Sequence, residues 1–222
     1  MNSALSFTNI NKLAIPALIA GIAEPVLSIT DTAIVGNIPE KGLESLAAVG
    51  IVGAFLSMLI WILGQTRSAI SAIISQYYGA GKLSEIQTLP AQAIALNIGI
   101  SIIILLVSLP FSREIFELLN ASGEILDRCI AYYEIRVWGF PLTLLVFAII
   151  GIFQGLQNTV WPMLIAITGA GLNIVLDFIL VYGVSTWLPP MGLEGAAWAS
   201  LIAQGVMAVL ALWLLMTQTS VR

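Results

Sequence analysis

Histidine is absent from the 222 residues, and cysteine occurs once, at Cys129. Without imidazole the chain lacks both the usual proton carrier near neutral pH and the commonest metal ligand. A single thiol closes no internal disulfide. Charge is scarce as well. Only 9% of residues are charged, against about 25% in a soluble domain. Eight Lys and Arg stand against twelve Asp and Glu, a formal net charge of -4. No basic patch marks a nucleic-acid partner. A Walker loop, a His-based triad and a metal-binding cluster are also missing, so nothing points to an enzyme or to a bound cofactor.

Apolar residues are what the chain has: they make up 59% of it, with a mean hydropathy of +1.01. A soluble globule of this composition could not cover its own core. The reading is an all-α polytopic membrane protein, with the lipid bilayer as its first partner. A transmembrane helix needs about 20 mostly apolar residues. Six stretches qualify, at 13–35, 46–78, 86–109, 137–156, 163–182 and 195–216. Pro90 sits near the start of the third and Pro110 closes it. Pro162 precedes the fifth, and Pro189-Pro190 separates the last two, which is how helices are punctuated. The second stretch is too long for one crossing. Residues 46–66 span the core, Arg67 then falls at the interface, and 68–78 project as a helical extension ending at Gly79-Ala80-Gly81-Lys82. Ser122 can cap a helix with Glu124 in its first turn. Leu126, Ile130, Tyr133 and Val137 then share one face, which reads as an amphipathic surface helix leading into the fourth span.

Six spans put both termini on one side. With the termini inside, Lys12, Lys82 and Arg222 are cytoplasmic, and Lys41, Arg113, Arg128 and Arg136 are outside. The positive-inside rule does not decide between the orientations. The N-terminal apolar run is broken by Glu24-Pro25 and lacks a small-residue cleavage site, so it does not read as a signal peptide.

A carboxylate at mid-membrane costs about 2.5–3.5 kcal/mol on insertion scales, so each one asks for a reason. Glu24 and Asp31 lie seven apart on one face of the first span, with Ser28 between them. Pro16 and Pro25 in the same helix each remove a backbone donor. A bent helix with a polar stripe can line a water-filled cavity. The alternative is a structural ion pair, for which Arg67 is the basic candidate; Glu24 can also face a headgroup or stay protonated. Asn173 and Asp177, at i and i+4 on the fifth span, offer hard oxygens suited to Na⁺ or to a proton. Interhelical hydrogen bonding is the blander reading of the same pair. Asp31 and Asp177 can share a proton if they meet, because two close carboxylates do not both ionise cheaply. Ser68, Ser71, Ala72 and Ser75, with Gly169 and Gly171, read as close helix packing. Trp138, Trp161 and Trp187 fall near span ends, where an interfacial belt is expected. Trp61, Trp198 and Trp213 fall within spans, open to lipid or to substrate.

At these residues the chain resembles the multidrug and toxic compound extrusion (MATE) family, in its DinF-like branch. Four segments carry the resemblance across nearly the whole chain. They are Ile15-Pro16 with Thr30-Asp31-Thr32-Ala33-Ile34-Val35-Gly36 and Leu46-Ala47-Ala48-Val49-Gly50; Gln76-Tyr77-Tyr78-Gly79-Ala80-Gly81-Lys82; Gly155-Leu156-Gln157-Asn158-Thr159 with Pro162; and Leu172-Asn173-Ile174-Val175-Leu176-Asp177 with Gly192-Leu193-Glu194-Gly195-Ala196-Ala197-Trp198-Ala199-Ser200. Gln154 stands where the family usually has arginine, and Asn158 where it is often acidic; both departures fall near the inner loop.

The resemblance implies secondary active export of organic cations and other amphipathic compounds, a multidrug or xenobiotic antiport driven by H⁺ or Na⁺. It implies an inner or plasma membrane, multi-pass protein with both termini cytoplasmic. The family fold is two six-helix lobes, and residues 1–222 fit the N-terminal lobe, with the C-terminal lobe expected outside this chain. By the same resemblance Asp31, Asn173 and Asp177 form the cation or proton site, where Na⁺ would bind if it is the coupling ion. Ser200 would supply a hydroxyl from helix six, and Pro16 would mark the bend of helix one. Glu24, Ser28 and Pro16 are the expected cavity lining. A homodimeric half-size transporter, pairing with a second copy, and a non-transporting membrane protein that binds a partner are the alternatives.

Overall fold

The structure, a computed structural model, describes residues 7–39, 42–184 and 187–218. Lys41 and Arg222, two of the charges weighed for orientation, lie outside the described residues. Eight α-helices appear among those described: α1 (Phe7–Gly36), α2 (Gly42–Gly79), α3 (Leu89–Ser108), α4 (Ser112–Leu118), α5 (Gly123–Arg136), α6 (Gly139–Gly155), α7 (Val160–Tyr182) and α8 (Gly192–Gln218). A 3₁₀ turn, Leu83–Ile86, precedes α3. Five helical stretches are long and apolar enough to cross a membrane, and α5 with α6, bent by 49°, make a sixth.

The long second stretch is one helix of 38 residues, about 57 Å at 1.5 Å per residue, which exceeds the bilayer core. It stops at Gly79, where Gly81 takes a positive φ of 71° and the Lys82 N–H returns to the Tyr77 carbonyl, a glycine-assisted helix end. At the start of α5, Ser122 holds the extended capping conformation, but its hydroxyl makes no capping bond. Asn158 does cap: its Oδ1 accepts from the N–H groups of Val160 and Trp161 at the start of α7. That residue therefore works in the α6–α7 turn, where the departure from the family pattern falls.

Helix α6 is the hub. Twelve of its residues are buried, and it packs on α2, α3 and α8. Glycines set its approach to α2. A Cβ at Gly151 would lie 2.7 Å from the Arg67 carbonyl, and one at Gly155 would lie 2.6 Å from Ile74 Cβ. Close helix packing thus runs through Gly151, Gly155 and the backbone of α2; Gly169 receives Met207, while Gly171 faces open space. On the other side α7 packs on α8 and α1.

Helix α5 does not lie on the surface as its amphipathic pattern suggests. It packs between α2 and α8 and buries Leu126, Cys129, Tyr132 and Tyr133. The apolar stripe is the one expected, but its counterpart is protein: Phe55, Phe116 and Tyr133 form an edge-to-face trio with centroids 5.2–5.9 Å apart, and the Tyr133 hydroxyl meets Ser108 Oγ at 2.6 Å.

Two polar ties hold α1 near its two ends. The Thr159 hydroxyl donates to the Leu13 carbonyl at 2.9 Å, and the Tyr182 hydroxyl donates to the Ile34 carbonyl at 2.8 Å. Pro16 and Pro25 fall between these ties and leave α1 continuous. Its outward side chains, among them Leu18, Ile22 and Ile29, are exposed, as are Trp61, Trp138, Trp187, Trp198 and Trp213.

Candidate functional site

A cavity of about 640 Å³ opens between α1, α2, α5, α6, α7 and α8, within the size range of small-molecule pockets. The polar stripe of α1 faces it: Glu24, Ser28 and Asp31 all line its wall, as their spacing of three and four residues requires. Pro16 does not. It faces a shallow hollow beside Phe7, Thr8, Asn11, Lys12 and Ile15, toward the other end of the helix.

Beside Asp31, α7 presents Asn173, and Ser200 of α8 also lines the cavity. The Asn173 amide is a clamp. Its Nδ2 donates to Asp31 Oδ1 at 3.2 Å and to Asp177 Oδ2 at 2.6 Å, so one amide uses both hydrogens to tie α1 to α7. Asn173 is 2% exposed and Asp177 0%. Asp177 stands behind Asn173 rather than on the cavity wall, and its carboxyl adjoins that of Asp31. Two carboxyls in contact are held together most cheaply by one proton between them. The cluster therefore has the chemistry to take up and release a proton facing the cavity. With Nδ2 turned to both acids, Asn173 acts here as a donor, not as an oxygen ligand.

The cavity also holds two cations that the sequence did not place there. Arg67 lines it; its guanidinium lies over the Phe147 ring, 5.4 Å from the centroid, a cation–π contact. Gly64 leaves room for that ring, since a Cβ there would come within 3.2 Å of it. Arg136, reckoned among the outer-loop charges, closes α5 and lines the cavity. Its charge reaches both Asp31 and Asp177, and the Tyr132 ring, 5% exposed, adjoins it. Arg67 is thus not the sole basic group near the acids. Four residues before it, Tyr132 shares its face of α5; a Tyr and an Arg at that spacing was the available signal. Thr32, Ser57, Thr143, Gln154 and Gln204 add neutral polar groups to the lining. Among the described residues no group of three or more His, Cys, Asp or Glu converges on one point.

A family model described as MatE matches residues 16–179. Among curated proteins the chain is similar to DNA damage-inducible protein F of Escherichia coli, 30% identical over 193 residues that cover 86% of this chain and 40% of that protein. It is similar to multidrug resistance protein MdtK of Edwardsiella ictaluri, 29% identical over 172 residues, covering 77% of this chain and 37% of that one. Among solved structures it superimposes on a MOP superfamily transporter from Pyrococcus furiosus with a TM-score of 0.85 at 25% identity, over 96% of this chain and 45% of that one. The chain spans less than half the length of these relatives.

Proposed function

Because the chain belongs to the MatE family, whose members are transporters and not enzymes, we propose that it works as the N-terminal lobe of a secondary antiporter. The antiporter exports amphipathic or cationic small molecules, drugs among them, in exchange for H⁺ or Na⁺. It is a multi-pass membrane protein, with both termini cytoplasmic in this reading. The single observation that carries the proposal is the clamp. Asn173 joins an acid of α1 to an acid of α7 at the wall of a cavity large enough for a drug-sized molecule. Carboxyls inside a membrane bundle mark ion and proton pathways, and a mere scaffold has no use for two in contact.

Exchange follows from competition. Export needs the cavity to face each side of the membrane in turn, and rocking of two six-helix bundles about a shared site supplies that. Protons or Na⁺ loaded at Asp31 and Asp177 from outside change the charge of the wall that a cationic substrate meets. Asp31 and Asn173 stand on the wall itself, and Asp177 behind them adjusts the charge that Asp31 presents. Ser200 supplies a hydroxyl beside the clamp, and Glu24 and Ser28 extend the polar wall along α1.

Ethidium efflux by the complete two-lobe transporter tests this. Asp31→Asn abolishes export at unchanged expression, because the amide stands for an acid that never ionises. Asp177→Asn is nearly as severe, Asn173→Ala milder, and Glu24→Gln the mildest of the acidic changes. Wild-type export by Asp31→Asn, with unchanged pH and Na⁺ dependence, would make the cluster structural.

A further inference from the structure

Four buried side-chain atoms lack any hydrogen-bond partner among the described residues, and all four belong to one place. Two are donors, Nε and Nη1 of Arg136; two are acceptors, Oδ1 of Asp177 and Oε1 of Gln204. A buried polar atom without a partner bears its full desolvation cost, and four scattered ones would each call for a separate cause. These match in number and in kind. Arg136 is the last residue of α5, Gly139 the first of α6, and the chain bends by 49° between them. Gln204 Oε1 occupies the place that a Cβ at Gly139 would take, so the amide already stands at the break, three residues from the arginine. The Arg136 charge acts on Asp177.

We propose that Arg136 is a tethered cation for the acid cluster: a turn of its guanidinium at the α5–α6 break sets Nε and Nη1 onto Asp177 Oδ1 and Gln204 Oε1, and so closes the site to Na⁺. The inference rests on the reading of the Asp31–Asn173–Asp177 cluster as the coupling-ion site, and selects its ion. A guanidinium carries the charge that Na⁺ would bring and satisfies the acceptors Na⁺ would use, with donors in a fixed fork. Asn173, its Nδ2 toward both carboxyls, offers no oxygen there to a metal ion. A proton needs no ligand shell and still fits between the two carboxyls. The charged and titratable groups around Arg136 are few. Asp31 and Glu24 face the cavity from α1, Asp177 stands behind it on α7, Tyr132 shares α5, and Arg67 reaches in from α2, where it lies over Phe147. From α6 and α8 only neutral groups face it, Thr143, Gln154, Ser200 and Gln204.

Ion binding, read without transport, tests the proposal. The purified chain is melted in detergent in NaCl and in choline chloride of equal strength, about 100 mM. An ion that binds only the folded state raises the midpoint. Wild type and Arg136→Lys are expected to melt alike in both salts. Arg136→Gln gains a rise of about 2–4 °C in Na⁺, and Arg136→Gln with Asp177→Asn loses it again. Arg136→Met, which removes the charge and keeps the packing, gives the same result if the Gln variant fails to accumulate. A Na⁺-dependent rise in wild type equal to that of the variants would overturn the proposal. So would a folded Arg136→Gln or Arg136→Met with no response to Na⁺. Either result leaves the export assay of Asp31→Asn free to succeed or fail by itself.

Discussion

Two arginines eight residues apart on α5 meet opposite fates. Arg128 is fully engaged: its Nη1 donates to the buried Ser45 Oγ at 2.9 Å and its Nη2 to Glu124 Oε1 at 3.2 Å. Further along α5 the Phe55, Phe116 and Tyr133 rings and the Tyr133–Ser108 bond lock the face that packs on the bundle. Arg136, on the cavity wall, has two buried donors without acceptors. One helix thus carries a cation committed to holding the bundle and a cation held in reserve beside two acids. Burial alone does not separate the two; the completeness of the partner set does.

The contrast can be broken by mutation. On the packed face of α5 substitutions act on stability. Phe116→Ala removes a side chain of zero exposure and is expected to cost about 3–5 kcal/mol, read as a fall in the melting midpoint in detergent. Tyr133→Phe leaves the buried Ser108 hydroxyl unpaired and is expected to cost about 1–3 kcal/mol. Arg128→Gln leaves the buried Ser45 hydroxyl without its donor and is expected to cost about 1–3 kcal/mol and to leave export unchanged. At Arg136 the order reverses. Arg136→Met is expected to lower the midpoint in choline salt less than Phe116→Ala does, because it removes two donors that have no acceptor, while the response to Na⁺ changes. A large loss of stability from Arg136→Met in choline would show that the two arginines do the same work.

The spans were legible because each apolar run is long, uncharged near its middle and punctuated by proline. Asp31, Asn173 and Asp177 were legible because intramembrane acids are rare and helical spacing put them on faces; their meeting across 142 and 146 residues of sequence came through the resemblance. Helix α5 was half legible. Its stripe of Leu126, Tyr133 and Val137 is buried as periodicity requires, yet a stripe looks the same whether headgroups or helices cover it. Cys129 on the same helix is 0% exposed, with its Sγ 3.9 Å from the Ala48 carbonyl; slow labelling of the native thiol is the expected consequence. Arg67 and Arg136 fell at predicted ends of spans, and nothing local told a side chain bound for headgroups from one turned inward. The bend after Arg136 and the slot at Gly64 made that choice.

The two ties on α1 have a mechanical consequence. A helix anchored by Leu13 near one end and Ile34 near the other is a beam clamped at both ends, with compliance concentrated at Pro16 and Pro25 where backbone bonds are missing. A helix so held is expected to bow rather than swing. The span that bows carries Glu24, Ser28 and Asp31, so a deflection of α1 changes the width of the cavity and the reach from Asp31 to Asn173 in one movement, while the ends keep their grip on the α6–α7 turn and on Tyr182.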